Sequence, residues 1–236
     1  MRLPSTDRGA VDTLRNHILS KFLPGIGAWG ELALLRAWKD DFLGCALHEQ
    51  YTTGSAGGGI NPALVNGKHG GWVRTNAGIL NAGSSMVILG VGGAPFYYTL
   101  DADNGWSMIW RMELGQVANI DAGALAFEWT NQYTIFCGLR TDIHAANWII
   151  RCVNAAGNSF TNTGVAADTN PHEHALEVSP TPTGHQVKYS LDGTLIGTHA
   201  TNIYNGLLHP VLWCVNRGGS GTDRTADFDF WAVVPV

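Results

Sequence analysis

From residue 41 onward, apolar and polar residues alternate along the chain with a period of two. The segment 107–114 places four apolar residues on one face: Met108, Trp110, Met112 and Leu114. The segment 147–153 repeats the pattern with Trp148, Ile150 and Cys152. Successive side chains of a strand point to opposite faces of a sheet, so this pattern is typical of half-buried antiparallel strands.

A last strand is predicted over 225–234, with Asp227 and Asp229 on its solvated face. The opposite, inward face is predicted to carry Ala226, Phe228, Phe230, Ala232 and Val234. Asp192-Gly193 lies between the alternating segments 187–191 and 194–198, which predicts a two-residue hairpin turn. Strands recur at intervals of roughly ten to fifteen residues, which favours a mainly β, two-sheet antiparallel sandwich or jelly roll.

The first forty residues differ, because their apolar residues follow helical spacing. Ser5-Thr6-Asp7 offers a helix N-cap, and Pro24-Gly25 ends the helix. The apolar stripe consists of Val11, Leu14, Ile18, Leu19 and Phe22. A lone helix of this length is marginal in water unless its stripe is buried. We therefore predict an N-terminal helical arm over 1–39, which binds a partner or mediates homo-oligomerisation, and a sandwich over 40–236.

Two stretches of the chain resemble a known group of domains. The first is Asp40-Asp41-Phe42-Leu43-Gly44, followed by the glycine-rich segment 54–59 and by Gly70-Gly71-Trp72-Val73-Arg74. The second runs from His174 through the Asp192-Gly193 turn to the segments 210–216 and 227–231. Together they resemble the concanavalin A-like jelly-roll domains of tailed-phage virion structural proteins.

The resemblance implies a function as well as a fold. It implies a non-enzymatic virion structural protein of a bacteriophage, such as a capsid decoration (cement), head-fibre or tail component. The major capsid protein or another virion protein would then be its partner, and the virion, assembled in the host cytoplasm, its location. The alternative is a lectin-like, carbohydrate-binding module that recognises a host glycan, because this fold carries lectins, glycanases and structural modules alike.

Catalysis on such a fold needs two carboxylates about 5 Å apart for a retaining glycosidase. The β-glucanase pattern Glu-x-Asp-x-(x)-Glu, which places its acids on one strand face, does not occur in this sequence. Asp227 and Asp229 are the alternating acidic pair of a predicted strand, and they resemble solvated strand residues. The sequence therefore predicts no catalytic residues and no enzymatic activity.

Two motifs could hold a metal ion. His172 and His174 share one strand face, but a zinc or copper site needs a third ligand, such as His185 or His199. The stretch 101–104 carries Asp and Asn oxygens suited to calcium, but Asp-x-Asp-Asn-Gly is equally a turn sequence. We predict no metal site and no cofactor.

Aromatic residues are the remaining candidates for contacts with a ligand. Trp110, Trp148 and Trp213 lie in apolar strands and are predicted to pack in the core. Trp106 and Trp129 follow or enter turn sequences and are the predicted exposed, ligand-binding contacts.

Charge and hydropathy exclude other partners. The net charge of −5 argues against a phosphate-binding surface, so no nucleic-acid partner is expected. No apolar run approaches the ~18 residues of a membrane span. Three cysteines, Cys137, Cys152 and Cys214, lie in apolar strand-like runs and are predicted to be free core residues. The thiol state of Cys45 does not follow from its surroundings.

Overall fold

The computed structural model describes residues 38–40, 51–65, 71–89, 100–144, 146–218 and 221–235. All described residues belong to one compact unit, 37–236. The predicted arm residues lie outside the described residues: Val11, Leu14, Ile18, Leu19 and Phe22. Within the described ranges, no helix is long and apolar enough to cross a bilayer.

Antiparallel pairing joins the described strands into two sheets of eight. Sheet A has the order β14 (Thr194–His199), β13 (Gly184–Leu191), β12 (His172–Thr181), β7 (Trp106–Leu114), β16 (Thr225–Pro235), β4 (Trp72–Asn76) and β3 (Ile60–Val65), with β1 (Trp38–Asp40) paired to β16. Sheet B has the order β11 (Gly157–Ala166), β10 (Asn147–Asn154), β9 (Thr134–Arg140), β8 (Ile120–Phe127), β15 (Leu207–Asn216), β5 (Ser84–Leu89) and β2 (Tyr51–Ala56), with β6 (Leu100–Asp101) paired to β15.

One buried apolar cluster between the sheets forms the core, and it takes alternate residues from each strand. Met108, Trp110 and Met112 of β7 face Trp148 and Ile150 of β10 within it. The two-sheet antiparallel sandwich predicted from the alternation is therefore confirmed, because each sheet buries one face against the other.

The Asp192-Gly193 hairpin is also confirmed. It joins β13 to β14, and both turn residues have positive φ, 49° at Asp192 and 77° at Gly193. Two successive positive φ values define the type I′ turn, whose twist matches that of the flanking strands.

The prediction for the last strand is wrong in its second half. Ala226 and Phe228 enter the core as expected, but the register of β16 against β7 shifts between Phe228 and Trp231. A bulge adds one residue and so reverses which face the later residues occupy. Trp231 and Val233, rather than Ala232 and Val234, therefore join the central cluster.

The strand β1 spans the predicted boundary between the arm and the sandwich. Trp38 pairs with Val233 and Lys39 with Ala232, so both residues belong to a strand of sheet A. The prediction had assigned them to the helical arm. Backbone pairing with β16 holds this segment in the sandwich.

Candidate functional site

The outer face of sheet B, which points away from the core, carries a second buried apolar cluster. On β8, for example, Ala124 and Ala126 enter the core, whereas Leu125 and Phe127 lie on the outer side. Most solvent-facing sheet surfaces are polar. An apolar floor on the outer face is therefore the first sign of a binding surface.

The floor is a row of residues that face one another across six neighbouring strands. In strand order the row reads Ile88, Val211, Leu125, Phe136, Arg151 and Phe160. Directly paired residues on one face of a sheet lie about 5 Å apart, so the row crosses most of the sheet. It is apolar from β5 to β9, becomes cationic on β10, and ends on β11 with an exposed aromatic ring.

The indole rings of Trp129 and Trp213 and the phenyl ring of Phe127 lie beside this floor. Trp129 is 41% exposed, and its ring meets that of Phe127 edge-on at 4.7 Å between centroids. The Trp213 ring meets the Phe136 ring edge-on at 5.9 Å. These arrangements leave ring faces available for flat apolar partners.

The loop between β8 and β9 positions Trp129. The carboxylate of Glu128 accepts hydrogen bonds from the backbone N–H of Thr130 at 2.6 Å and of Asn131 at 2.7 Å. The bond from Asn131 is the main cause that lowers the pKa of Glu128. The Glu128 N–H also donates to the Tyr133 carbonyl, at 2.9 Å, which closes the loop.

Two arginines at one end of the groove are held by two aspartates. Arg140 donates two hydrogen bonds to Asp142, at 3.0 and 2.6 Å, and its Nε lies 3.3 Å from Asp121. Arg217 donates from Nε to Asp121 at 2.6 Å, and its Nη2 lies 3.3 Å from Asp142. The carboxylate of Asp121 is fully buried, so these arginines compensate its charge.

The pKa values of the two carboxylates are shifted in opposite directions. Burial raises the pKa of Asp121, against the opposing charges of Arg140 and Arg217. Burial acts in the same sense on Asp142, but the hydrogen bond and charge of Arg140 outweigh it and lower the pKa of Asp142. The lining of the groove includes both arginines and neither aspartate.

The groove has a volume of about 450 Å³, within the range of small-molecule sites. Its lining combines aromatic rings, the side chains of Asn131 and Gln132, and three arginines: Arg140, Arg151 and Arg217. Rings offer flat apolar contacts, while amides and guanidinium groups offer hydrogen bonds to hydroxyl and carboxylate oxygens. This combination suits a polar, ring-shaped ligand.

The structure separates the two predicted ligand contacts. Trp129 lies at the groove, as an exposed contact must. Trp106 is only 1% exposed and packs in the core, so the expectation that it is exposed is wrong. Trp106 is the first residue of β7. It points to the same side of the sheet as Met108 and Trp110, and that side is buried.

Trp213 was predicted to be a core residue, and this prediction is wrong. It lies half-buried on the outer face, beside Phe136 and below Arg140. The sequence did not reveal this position, because both faces of β15 are apolar and alternation cannot assign them. Trp110 and Trp148 are fully buried, as predicted.

The histidine pair of β12 occupies two different environments. His172 lies between Asp192, at 2.6 Å, and Asp168, at 3.0 Å. His174 is fully buried, stacks on Trp110 with 5.2 Å between centroids, and has Nδ1 2.8 Å from the Tyr189 hydroxyl. Among the described residues, no group of three or more metal-ligating side chains is found.

The acidic sequence motifs have structural roles. Asp101 accepts a hydrogen bond from the backbone of Asp103 at 3.0 Å and from the side chain of Asn104 at 2.8 Å, which forms a turn. Asp227 accepts hydrogen bonds from Nε and Nη2 of Arg74, at 2.7 and 2.8 Å. It is 4% exposed, so the prediction that it is solvated is wrong. Asp229 pairs with Arg111 at 3.1 Å.

The predicted core cysteines are confirmed as free and buried. They are Cys137, Cys152 and Cys214. Burial raises the pKa of Cys152 and of Cys214 to about 12, so neither thiol is a nucleophile at neutral pH.

Comparison with known proteins finds no matching family model and no matching curated protein. Solved structures match over most of the chain. A prokaryotic β-1,3-1,4-glucanase (lichenase) from a mouse hindgut metagenome has a TM-score of 0.61 at 15% identity, covering 85% of this chain and 99% of its own. A Bacillus licheniformis β-glucanase has a TM-score of 0.57 at 15% identity, with 85% and 98% covered.

The carbohydrate recognition domain of Emp47p matches with a TM-score of 0.53 at 9% identity, covering 84% of this chain and 94% of its own. At these identities the likeness establishes the fold, which is a concanavalin A-like jelly-roll sandwich. That part of the sequence resemblance is confirmed, and none of these matches concerns a virion protein.

The matches correct the prediction that the chain has no enzymatic activity. Two of the structures that share its sandwich over 85% of its length are glucanases. The prediction rested on the absence of one strand motif. The fold is one on which carbohydrate-cleaving enzymes are built, so a missing motif does not exclude catalysis.

Proposed function

We propose that the groove on the outer face of sheet B binds carbohydrate. The observation that carries this proposal is the exposed ring of Trp129, which the Glu128 carboxylate fixes in place beside the amides of Asn131 and Gln132. A sugar ring has apolar C–H faces and a rim of hydroxyl groups. A fixed indole with adjacent hydrogen-bonding side chains matches both features.

The compared proteins support the same class of ligand. The structures that share the fold include a lichenase, a β-glucanase and a carbohydrate recognition domain. The volume of about 450 Å³ accommodates a few sugar units. The buried apolar floor from Ile88 to Phe136 supports the exposed ring of Trp129 and the half-buried ring of Trp213 at the groove.

The test is calorimetric titration of the full chain with a panel of neutral and acidic oligosaccharides. Trp129→Ala is expected to weaken binding of any bound member by about tenfold, the loss of one aromatic contact. Leu195→Ala is the control, because Leu195 is 53% exposed on β14 of the other sheet. Failure of every panel member to bind at millimolar concentration would overturn the proposal, as would equal losses in both variants.

The same incubations are assayed for new reducing ends. A time-dependent increase that Trp129→Ala diminishes would add glycosidic cleavage to binding at this groove. A constant signal would assign binding without turnover under those conditions.

A structural role in a tailed-phage virion stays a prediction from the sequence resemblance, together with the capsid partner, the homo-oligomer, the arm contacts and the particle location. Mass spectrometry of purified particles is its test. Hundreds of copies for each particle would indicate capsid decoration, and a few copies would indicate the tail. Absence from the particles would refute it.

A further inference from the structure

Arg151 differs from the other two arginines of the groove in having no acidic partner. Its Nε donates to the side-chain oxygen of Asn158 at 3.0 Å. Among the described residues, no carboxylate forms an ion pair with Arg151, whereas Arg140 and Arg217 share Asp121 and Asp142. Arg151 is therefore the arginine of the groove lining that has no direct ion pair among the described residues.

The surroundings of Arg151 increase the cost of this charge. The residue is half-buried next to the end of the row, between Phe136 on β9 and Phe160 on β11. Burial, followed by the nearby charge of Arg140, lowers the pKa of Arg151 against the opposing charges of Asp142 and Asp121. A partly buried cation without a directly bound counter-charge is stabilised when a ligand supplies one.

The lining of the groove contains no counter-charge. It includes three arginines and no aspartate or glutamate, although the whole chain has a net charge of −5. A local positive field inside an otherwise acidic protein concentrates anions at that place.

The hydrogen-bonding geometry of Arg151 favours a planar anion. Asn158 occupies the Nε position, and the two terminal nitrogens, Nη1 and Nη2, have no hydrogen-bond partner among the described residues. This pair of nitrogens binds both oxygens of a carboxylate in parallel. The ring of Phe160, 50% exposed, lies directly across from Arg151 on the edge strand, beside any group bound there.

We infer that the groove recognises an acidic oligosaccharide, with a sugar-ring carboxylate bound by Arg151 and sugar rings stacked on Phe160 and Trp129. This inference rests on the proposed carbohydrate-binding function and specifies its ligand class. Arg140 and Arg217 contribute positive potential but stay bound to their aspartates. Arg151 is thus the residue that distinguishes a uronic acid from the corresponding neutral sugar.

The test uses two matched probes, a β-1,4-linked glucose hexamer and the glucuronic acid hexamer that differs from it only at C6. Both are titrated into the full chain and into Arg151→Gln. We expect the acidic probe to bind at least tenfold more tightly, and Arg151→Gln to weaken its binding by about tenfold or more. Binding of the neutral probe should change less than twofold.

Lys188→Gln is the matched control, because it removes one positive charge from sheet A, where Lys188 pairs with Glu177 at 2.8 Å. It should leave both affinities unchanged. A higher salt concentration should weaken binding of the acidic probe and leave binding of the neutral probe unchanged. Thermal unfolding of Arg151→Gln should show unchanged or higher stability, since the variant removes an unpaired charge.

The outcomes separate the two proposals. If both probes bind equally well and Trp129→Ala weakens both, carbohydrate binding stands and the acidic specificity is refuted. Equal losses for both probes in Arg151→Gln would also refute it. If neither probe nor any other oligosaccharide binds, both proposals are wrong.

Discussion

The guanidinium carbon of Arg140 lies 5.6 Å from the centre of the Trp213 ring, while its nitrogens bind Asp142 at 2.6 and 3.0 Å. The same group lies 5.8 Å from the Phe136 ring. A cation bound by a carboxylate and covered by two rings is nearly fixed. One end of the groove is therefore preorganised before any ligand arrives.

This relationship predicts a large effect of Arg140→Ala on stability. The substitution leaves the fully buried Asp121 with fewer counter-charges, so the free energy of unfolding should fall by about 3–5 kcal/mol in urea titration. Arg111→Ala is the control, because Arg111 also pairs with an aspartate (Asp229) and lies over a Trp72 ring, but is 43% exposed. Its loss should stay below about 1 kcal/mol. Equal losses would refute the special role of burial.

The burial of His174 leads us to expect a loss of stability in acid. Burial lowers its pKa from 6.5 to about 3, so unfolding takes up a proton below pH 6.5. The free energy of unfolding should therefore decrease as the pH falls from 6.5, by up to about 1.4 kcal/mol for each pH unit from this group. His174→Phe should flatten the slope between pH 6.5 and 4.5. An unchanged slope in His174→Phe would contradict the assignment.

His172 acts in the opposite direction. Burial alone would lower its pKa, but hydrogen bonds and charges from Asp192 and Asp168 outweigh burial and raise it above 6.5. Its contribution to stability is fully present below pH 6.5 and is lost as the pH rises through the raised value. NMR titration should give the raised pKa directly, and Asp192→Asn should reduce it. A pKa at or below 6.5 in the folded protein would be inconsistent with this arrangement.

The close approach of β8 and β9 beneath the groove predicts a steric requirement for glycine. A Cβ at Gly138 would lie 2.3 Å from the Ala122 carbonyl oxygen and 2.8 Å from the Gly123 Cα, both backbone atoms. Gly138→Ala should lower the free energy of unfolding by about 1–3 kcal/mol. Gly54→Ala on β2 meets only the Met86 side chain, at 3.4 Å, and should cost far less. Similar losses in chemical denaturation would count against this explanation.

Local alternation was sufficient to predict most of the sandwich. In β7 and β10 one face is apolar and the other mixed, so Trp110 and Trp148 could be assigned to the core from sequence. The prediction failed where alternation is interrupted, as at the bulge of β16, and where both faces are apolar, as in β15 around Trp213. When both alternating sets of residues are hydrophobic, a period of two does not tell which set faces the core.

The groove could be predicted only in part. Trp129 was among the predicted exposed contacts, but the arginines were not. Arg140 and Arg151 lie on the consecutive strands β9 and β10. Arg217, which directly follows β15, is distant in the chain and joins them only because β15 belongs to the same sheet. Nothing near Arg151 in the sequence shows that it lacks an acidic partner.

Antiparallel strands with a buried face and a two-residue hairpin at Asp192-Gly193 were predictable, because those properties depend on residues close together in the chain. Which acids are paired with arginines and which tryptophans are exposed followed only from the folded structure. Those properties depend on strand order and register, which join residues more than a hundred positions apart, such as Arg74 and Asp227.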